Sequence, residues 1–103
     1  MGSSGERIAV DGTGAAWIYG KDGIYFNNGK DPYRKSWTKL KDQDDFRASD
    51  IAFHGTDMVA VGLKDQKVYR FNKEKNHWKK VADGPNEATI ALGKDGEFFT
   101  TMI

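Results

Sequence analysis

The sequence predicts an all-β chain built from a four-stranded antiparallel unit that is used twice and begun a third time. Three observations carry that expectation. The first is internal repetition: Ile8-Ala9-Val10-Asp11-Gly12-Thr13-Gly14 returns 43 residues later as Ile51-Ala52-Phe53-His54-Gly55-Thr56-Asp57, and Ile90-Ala91-Leu92 opens the same phrase 39 residues after Ile51. The second is that runs of about five residues rich in Val, Ile, Phe, Tyr and Trp, the usual strand length, alternate with Gly-, Asp- and Asn-bearing turns. The third is that no segment sustains a helical period. The best helical candidate, 42–47, is too short to stand alone and reads as the loop between units.

Taken in order, the first unit places strands near 7–10, 15–19, 24–27 and 36–40, with Asp11-Gly12 and Asp22-Gly23 as hairpin signals. The second places them near 50–53, 58–62, 67–71 and 77–81, separated by His54-Gly55-Thr56-Asp57, by Lys64-Asp65-Gln66 and by the stretch 72–76. Gly and Asn there tolerate positive φ, and Asp bonds its own backbone. The third supplies two strands, near 88–92 and 97–102. Ile24-Tyr25 matches Val68-Tyr69 at an offset of 44, and Trp37 matches Trp78 at 41, so the copies drift in register at their turns. Pro32 and Pro85 both fall in connections.

Composition narrows the functional classes. With 16 basic and 15 acidic side chains the net charge is +1, and this balance argues against nucleic acid as a partner, because counterion release needs a clustered excess of Lys and Arg. Residues 64–80 are locally basic and interleaved with Tyr69, Phe71 and Trp78, but Asp65 and Glu74 interrupt the run. Cysteine is absent, which excludes disulfides and thiolate metal sites. No stretch approaches the roughly 20 apolar residues of a membrane span, and no signal peptide is visible, so the localisation stays unknown. Met1-Gly2-Ser3-Ser4-Gly5 reads as a flexible leader.

A four-stranded antiparallel sheet repeated every 40-odd residues is the sequence signature of a β-propeller blade. The expected organisation is a leader over 1–6, blade one over 7–41, blade two over 42–83 and a partial blade over 84–103. Closed propellers hold about four to eight blades, and two complete units plus a half unit fall short. Copies are therefore expected to oligomerise and complete a ring, a dimer carrying roughly five blades' worth of sequence.

The motifs resemble tectonin-type repeats. The first copy offers Ile8 to Trp17, then Lys21-Asp22-Gly23-Ile24-Tyr25, then Trp37-Thr38-Lys39-Leu40; the second offers Val68-Tyr69-Arg70 and Trp78-Lys79-Lys80-Val81, followed by Gly84 and Ile90-Ala91-Leu92-Gly93. A constant offset puts Ala60 in the place of Trp17 in the second copy, with Phe99 there in the third. The segment Phe71 to Trp78 is also similar in length and in its closing Trp to the Asp-box turn of other propellers. Both resemblances imply a propeller. The tectonin resemblance implies a carbohydrate-binding lectin, whereas Asp-box units also occur in glycosidases and assembly factors.

Trp37 and Trp78, like Tyr25 and Tyr69, recur at one position of the unit and read as packing residues. Trp17 and Tyr33 do not recur and are freer to serve a surface. A sugar site wants an aromatic face against the apolar side of the ring and fixed polar groups around it, so the expected ligand-binding set is Trp17, Asn27, Asn28, Tyr33, Asn72, Asn76 and His77. No metal site or cofactor is expected, since the acidic run Asp42, Asp44, Asp45 lacks the central Gly and closing Glu of a calcium loop. No nucleophile lies in an elbow or triad pattern, and no pair of carboxyl groups can be assigned to one glycosidic bond, so catalysis is not expected. The leading expectation is a non-catalytic, lectin-like module binding a glycan or glycoconjugate multivalently. The alternative is a protein-interaction or structural propeller fragment, designed or excised, without a sugar ligand.

Overall fold

The computed structural model describes residues 7–27, 37–42, 45–82 and 86–102, and the described residues form ten strands and no helix. The first sheet holds β1 (Arg7–Val10), β2 (Ala16–Gly20), β3 (Gly23–Asn27) and β4 (Trp37–Lys39) in that order. The second holds β5 (Ala48–His54), β6 (Asp57–Gly62), β7 (Val68–Asn72) and β8 (His77–Ala82), and the third holds β9 (Glu87–Leu92) and β10 (Phe98–Met102). Every neighbouring pair is antiparallel. In all three sheets the neighbouring strands are neighbours in sequence, an order that antiparallel pairing of short strands allows. Among the described residues no helix is long and apolar enough to cross a membrane.

The pairing registers reveal the repeat and correct one alignment. Ala9 opposes Trp17, Ala52 opposes Val59, and Ala91 opposes Phe99. Val59, not Ala60, therefore stands in the place of Trp17. The cause is turn length: five residues separate the paired Val10 and Ala16, but only four separate Phe53 and Met58. A one-residue difference moves every following side chain to the other face of the sheet. Further along, Tyr25 opposes Lys39 as Tyr69 opposes Lys80, and Asn27 opposes Trp37 as Phe71 opposes Trp78.

The second sheet is the middle layer, with β1 and β2 of the first sheet against β5, and β9 of the third against β5 and β6. Alternation along β6 divides its side chains between two cores. Met58 and Ala60 join Tyr19, Ile24, Ile51 and Trp78 in a core facing the first sheet. Val59 and Val61 join Val68 and Ile90 in a core facing the third. Val59, Val61 and Val68 are fully buried, each worth about 1.5–3 kcal/mol of burial. The recurrent aromatics fill the first of these cores: Phe46 stacks on Trp78 at 4.6 Å between ring centroids, and Phe71 and Tyr69 tilt against the same pair.

Polar ties cross the layers. A bulge between Ala48 and Asp50 re-aims the strand. The Asp50 carboxylate accepts from the Tyr19 hydroxyl of the first sheet at 3.2 Å and from the Ile90 amide of the third at 2.8 Å. Arg70 donates to the Gly96 carbonyl at 2.6 Å. Gly12 N donates to the Gly55 carbonyl at 3.2 Å, joining the β1–β2 and β5–β6 turns. A Cβ on Gly12 would lie 2.6 Å from the Gly55 Cα, so only glycine permits that approach.

Candidate functional site

The joined turns form one wall of a cleft between the first and second sheets, with a volume of about 440 Å³. Strand alternation builds its apolar part. Trp17 on β2 and Phe26 on β3 are directly opposed and face the second sheet, while Phe53, Met58 and Phe71 face back across the gap. Trp17 lies 5.1 Å from Phe26 and 5.3 Å from Phe53 between ring centroids, tilted against both. Such tilted pairs are favoured by the ring quadrupole and hold the indole in one orientation.

Asp11 completes that positioning. Its carboxylate accepts from Thr13 N at 2.8 Å, Thr13 Oγ1 at 2.6 Å, Ala15 N at 3.1 Å and Trp17 Nε1 at 2.8 Å. Burial pushes the Asp11 pKa upward, but the four hydrogen bonds to its charged form outweigh that and hold it below the ordinary carboxylate value. The Asp11 turn therefore closes the hairpin and fixes the Trp17 ring with one charge. With its N–H committed to Asp11, the indole offers the cleft its ring.

The polar rim comes from Thr13, Thr56, Lys73 and Asn76. Lys73 donates to the Thr56 hydroxyl. Asn76 takes a left-handed backbone conformation, φ 50°, which asparagine tolerates better than most residues. Its side-chain amide has no hydrogen-bond partner among the described residues and is exposed at the cleft mouth. The cleft thus combines an oriented aromatic surface with hydroxyl, amide and ammonium groups.

Of the residues the sequence pointed to, Trp17 and Asn76 meet in this cleft. Asn72 forms a turn, its Oδ1 accepting from Glu74 N and Lys75 N, and His77 opposes it on β8. Asn27 is buried on β3 and alternates to the face of the first sheet away from Phe26. Asn28 and Tyr33 lie outside the described residues. Phe26, Phe53, Phe71, Asp11 and Lys73 were not singled out for the site. Only the Asp11-Gly12-Thr13 turn signature carried a local hint.

A second cleft, about 570 Å³, is lined by residues 45–47 and 62–65 together with Tyr69. Its carboxylates are already engaged. Asp45 pairs with Lys39 at 3.4 Å and Arg47 at 3.3 Å, and Asp65 accepts from Tyr69 Oη at 2.5 Å and lies 3.5 Å from Lys80. The hydrogen bonds from Arg47 and Lys39 hold the Asp45 pKa low. Burial raises that of Asp65, and the bonds from Tyr69, Lys67 and Lys80 more than offset it. This larger cleft is a self-neutralised ionic cluster, so the aromatic cleft is the better candidate. Among the described residues no group of three or more His, Cys, Asp and Glu side chains could hold a metal ion. No family model, curated protein or solved structure matches the chain.

Proposed function

We propose that the chain is a non-catalytic carbohydrate-binding module of the β-propeller type, similar to tectonin repeats, whose sheets act as blades and whose copies associate to present several sites. The observation that carries the reading is the aromatic cleft, in which the Trp17 ring is oriented by Asp11 and faced by a rim of Thr13, Thr56, Lys73 and the unpaired Asn76 amide. A pyranose has an apolar face of C–H groups and an edge of hydroxyls. The ring lies against Trp17 and Phe53, and its hydroxyls meet the amide and hydroxyl groups at the mouth. A single site of this kind is weak, and repetition on a rigid scaffold raises affinity through effective concentration.

The test is a glycan array probed with the full chain, followed by titration calorimetry of the best sugar against Trp17→Ala and Asn76→Ala. Binding above background that falls at least tenfold in both variants supports the reading. No glycan signal, with specific capture of a protein instead, replaces it by the protein-interaction alternative.

A further inference from the structure

Each unit has two faces, and the registers show which residues are equivalent on each. On one face, Ile8 and Val10 correspond to Ile51 and Phe53 of the second sheet and to Ile90 and Leu92 of the third. On the other, Ala9 and Trp17 correspond to Ala52 and Val59, and to Ala91 and Phe99. Inside the chain these two faces meet twice. Trp17 and Ala9 of the first sheet pack in the core that holds Ile51 and Phe53, and Val59 and Ala52 of the second pack in the core that holds Ile90 and Leu92. Ile51 and Ile90 are accordingly only 5% and 8% exposed.

The two remaining faces leave apolar side chains exposed, on the first sheet along β1, although Asn27 on the same face is buried, and on the third sheet around Phe99. Ile8 is 70% exposed and Val10 62%, whereas Phe99, on the outer face of the third sheet, is 65% exposed. Exposed apolar side chains of the first type thus lie on the first sheet and one of the second type on the third. They belong to the same pair of surfaces that already pack together at both internal junctions.

We infer that the outer face of the third sheet, around Phe99, docks on the outer face of the first sheet of a second copy, around Ile8 and Val10. This inference rests on the propeller reading above and names the surfaces through which copies associate. The contact is heterologous, joining unlike faces, and closes into a ring when the rotation between units permits. Two copies bring together four four-stranded and two two-stranded sheets, about five blades' worth of strands and within the range of about four to eight that closed propellers use. The new junction also sets Phe99 opposite Val10, in the arrangement that Trp17 and Phe53 have at the aromatic cleft.

The experiment uses native mass spectrometry of the full chain at micromolar concentration, with Phe99→Asp and Val10→Asp as face-specific variants. Circular dichroism checks that each keeps its sheet content, and Phe99→Ser and Val10→Thr take their place if it does not. The wild type is expected as a discrete oligomer and each variant as a monomer. An equal mixture of the two variants is expected to give a dimer and nothing larger, because Val10→Asp retains an intact Phe99 face and Phe99→Asp retains an intact Ile8 and Val10 face. A monomeric wild type, an oligomer that survives Phe99→Asp, or a mixture that stays monomeric would each overturn the inference. Sugar titration separates the two readings, since the aromatic cleft lies within one chain: a wild type that assembles as expected but binds no sugar sinks the glycan proposal alone, and a wild type that binds sugar as a monomer sinks the docking inference alone.

Discussion

Replacing Asp50 by alanine tests whether one carboxylate holds the three sheets in register. The side chain accepts from Tyr19 Oη at 3.2 Å and from Ile90 N at 2.8 Å, and both donors belong to residues less than one-tenth exposed. Truncation leaves two buried donors without their acceptor, at about 1–3 kcal/mol each. The bond to Tyr19 is long, so the expected total is about 2–4 kcal/mol. That is a large share of the roughly 5–15 kcal/mol that keeps a domain folded. The assay is urea denaturation at fixed protein concentration, followed by tryptophan fluorescence, with a double-mutant cycle against Tyr19→Phe. That second variant alone is expected to cost about 1 kcal/mol, with coupling between the two sites. Amide exchange at Ile90 supplies the residue-level readout and is expected to accelerate in Asp50→Ala. A loss under about 1 kcal/mol, or unchanged exchange at Ile90, would refute the argument. The same contact has a pH signature. Burial, and then the negative charge of Asp50, raise the Tyr19 pKa above the ordinary 10.0. Its stabilising contribution is therefore complete below the unfolded tyrosine pKa and is lost as pH rises through the folded value. An ultraviolet titration of Asp50→Asn should show the Tyr19 transition moving down toward 10.0.

Gly12→Ala drives a Cβ into the Gly55 backbone; it is expected to cost about 1–3 kcal/mol in thermal or urea denaturation and to weaken sugar binding, because the two turns wall the cleft. Asp11 has a depressed pKa, so its contribution is present above the unfolded carboxylate pKa and disappears as pH falls through the folded one. Trp17 fluorescence should report that release on acid titration, and Asp11→Asn should abolish the transition. Trp78→Ala empties a site only 3% exposed and is expected to cost about 3–5 kcal/mol. Trp37→Ala, at the equivalent but half-buried position, is expected to cost less in the same denaturation experiment.

Local chemistry by itself determined where the strands and turns lie. Val, Ile and aromatic runs bounded by Gly, Asp and Asn restrict the backbone within a few residues, so the expected 7–10, 58–62 and 77–81 became Arg7–Val10, Asp57–Gly62 and His77–Ala82. Recurrence marked Trp78 and Tyr69 as packing residues for the same reason, since one position in a repeated unit meets one environment. Facing and juxtaposition were decided only by the tertiary structure. The shorter turn after Phe53 changed which side chain stands opposite Ala52, a one-residue effect that a constant offset hides. Trp17 and Asn76 were picked out by their types and both line the candidate cleft, but Phe53, Phe71 and Lys73 join them there from distant strands and turns only when the two sheets stack. Asp50 reads in the sequence as one more acidic residue, and the bulge beside it makes it a bridge between layers. Steric preference acts along a few bonds of chain, whereas a cleft and a three-sheet hydrogen bond depend on distances across the fold that no short segment encodes.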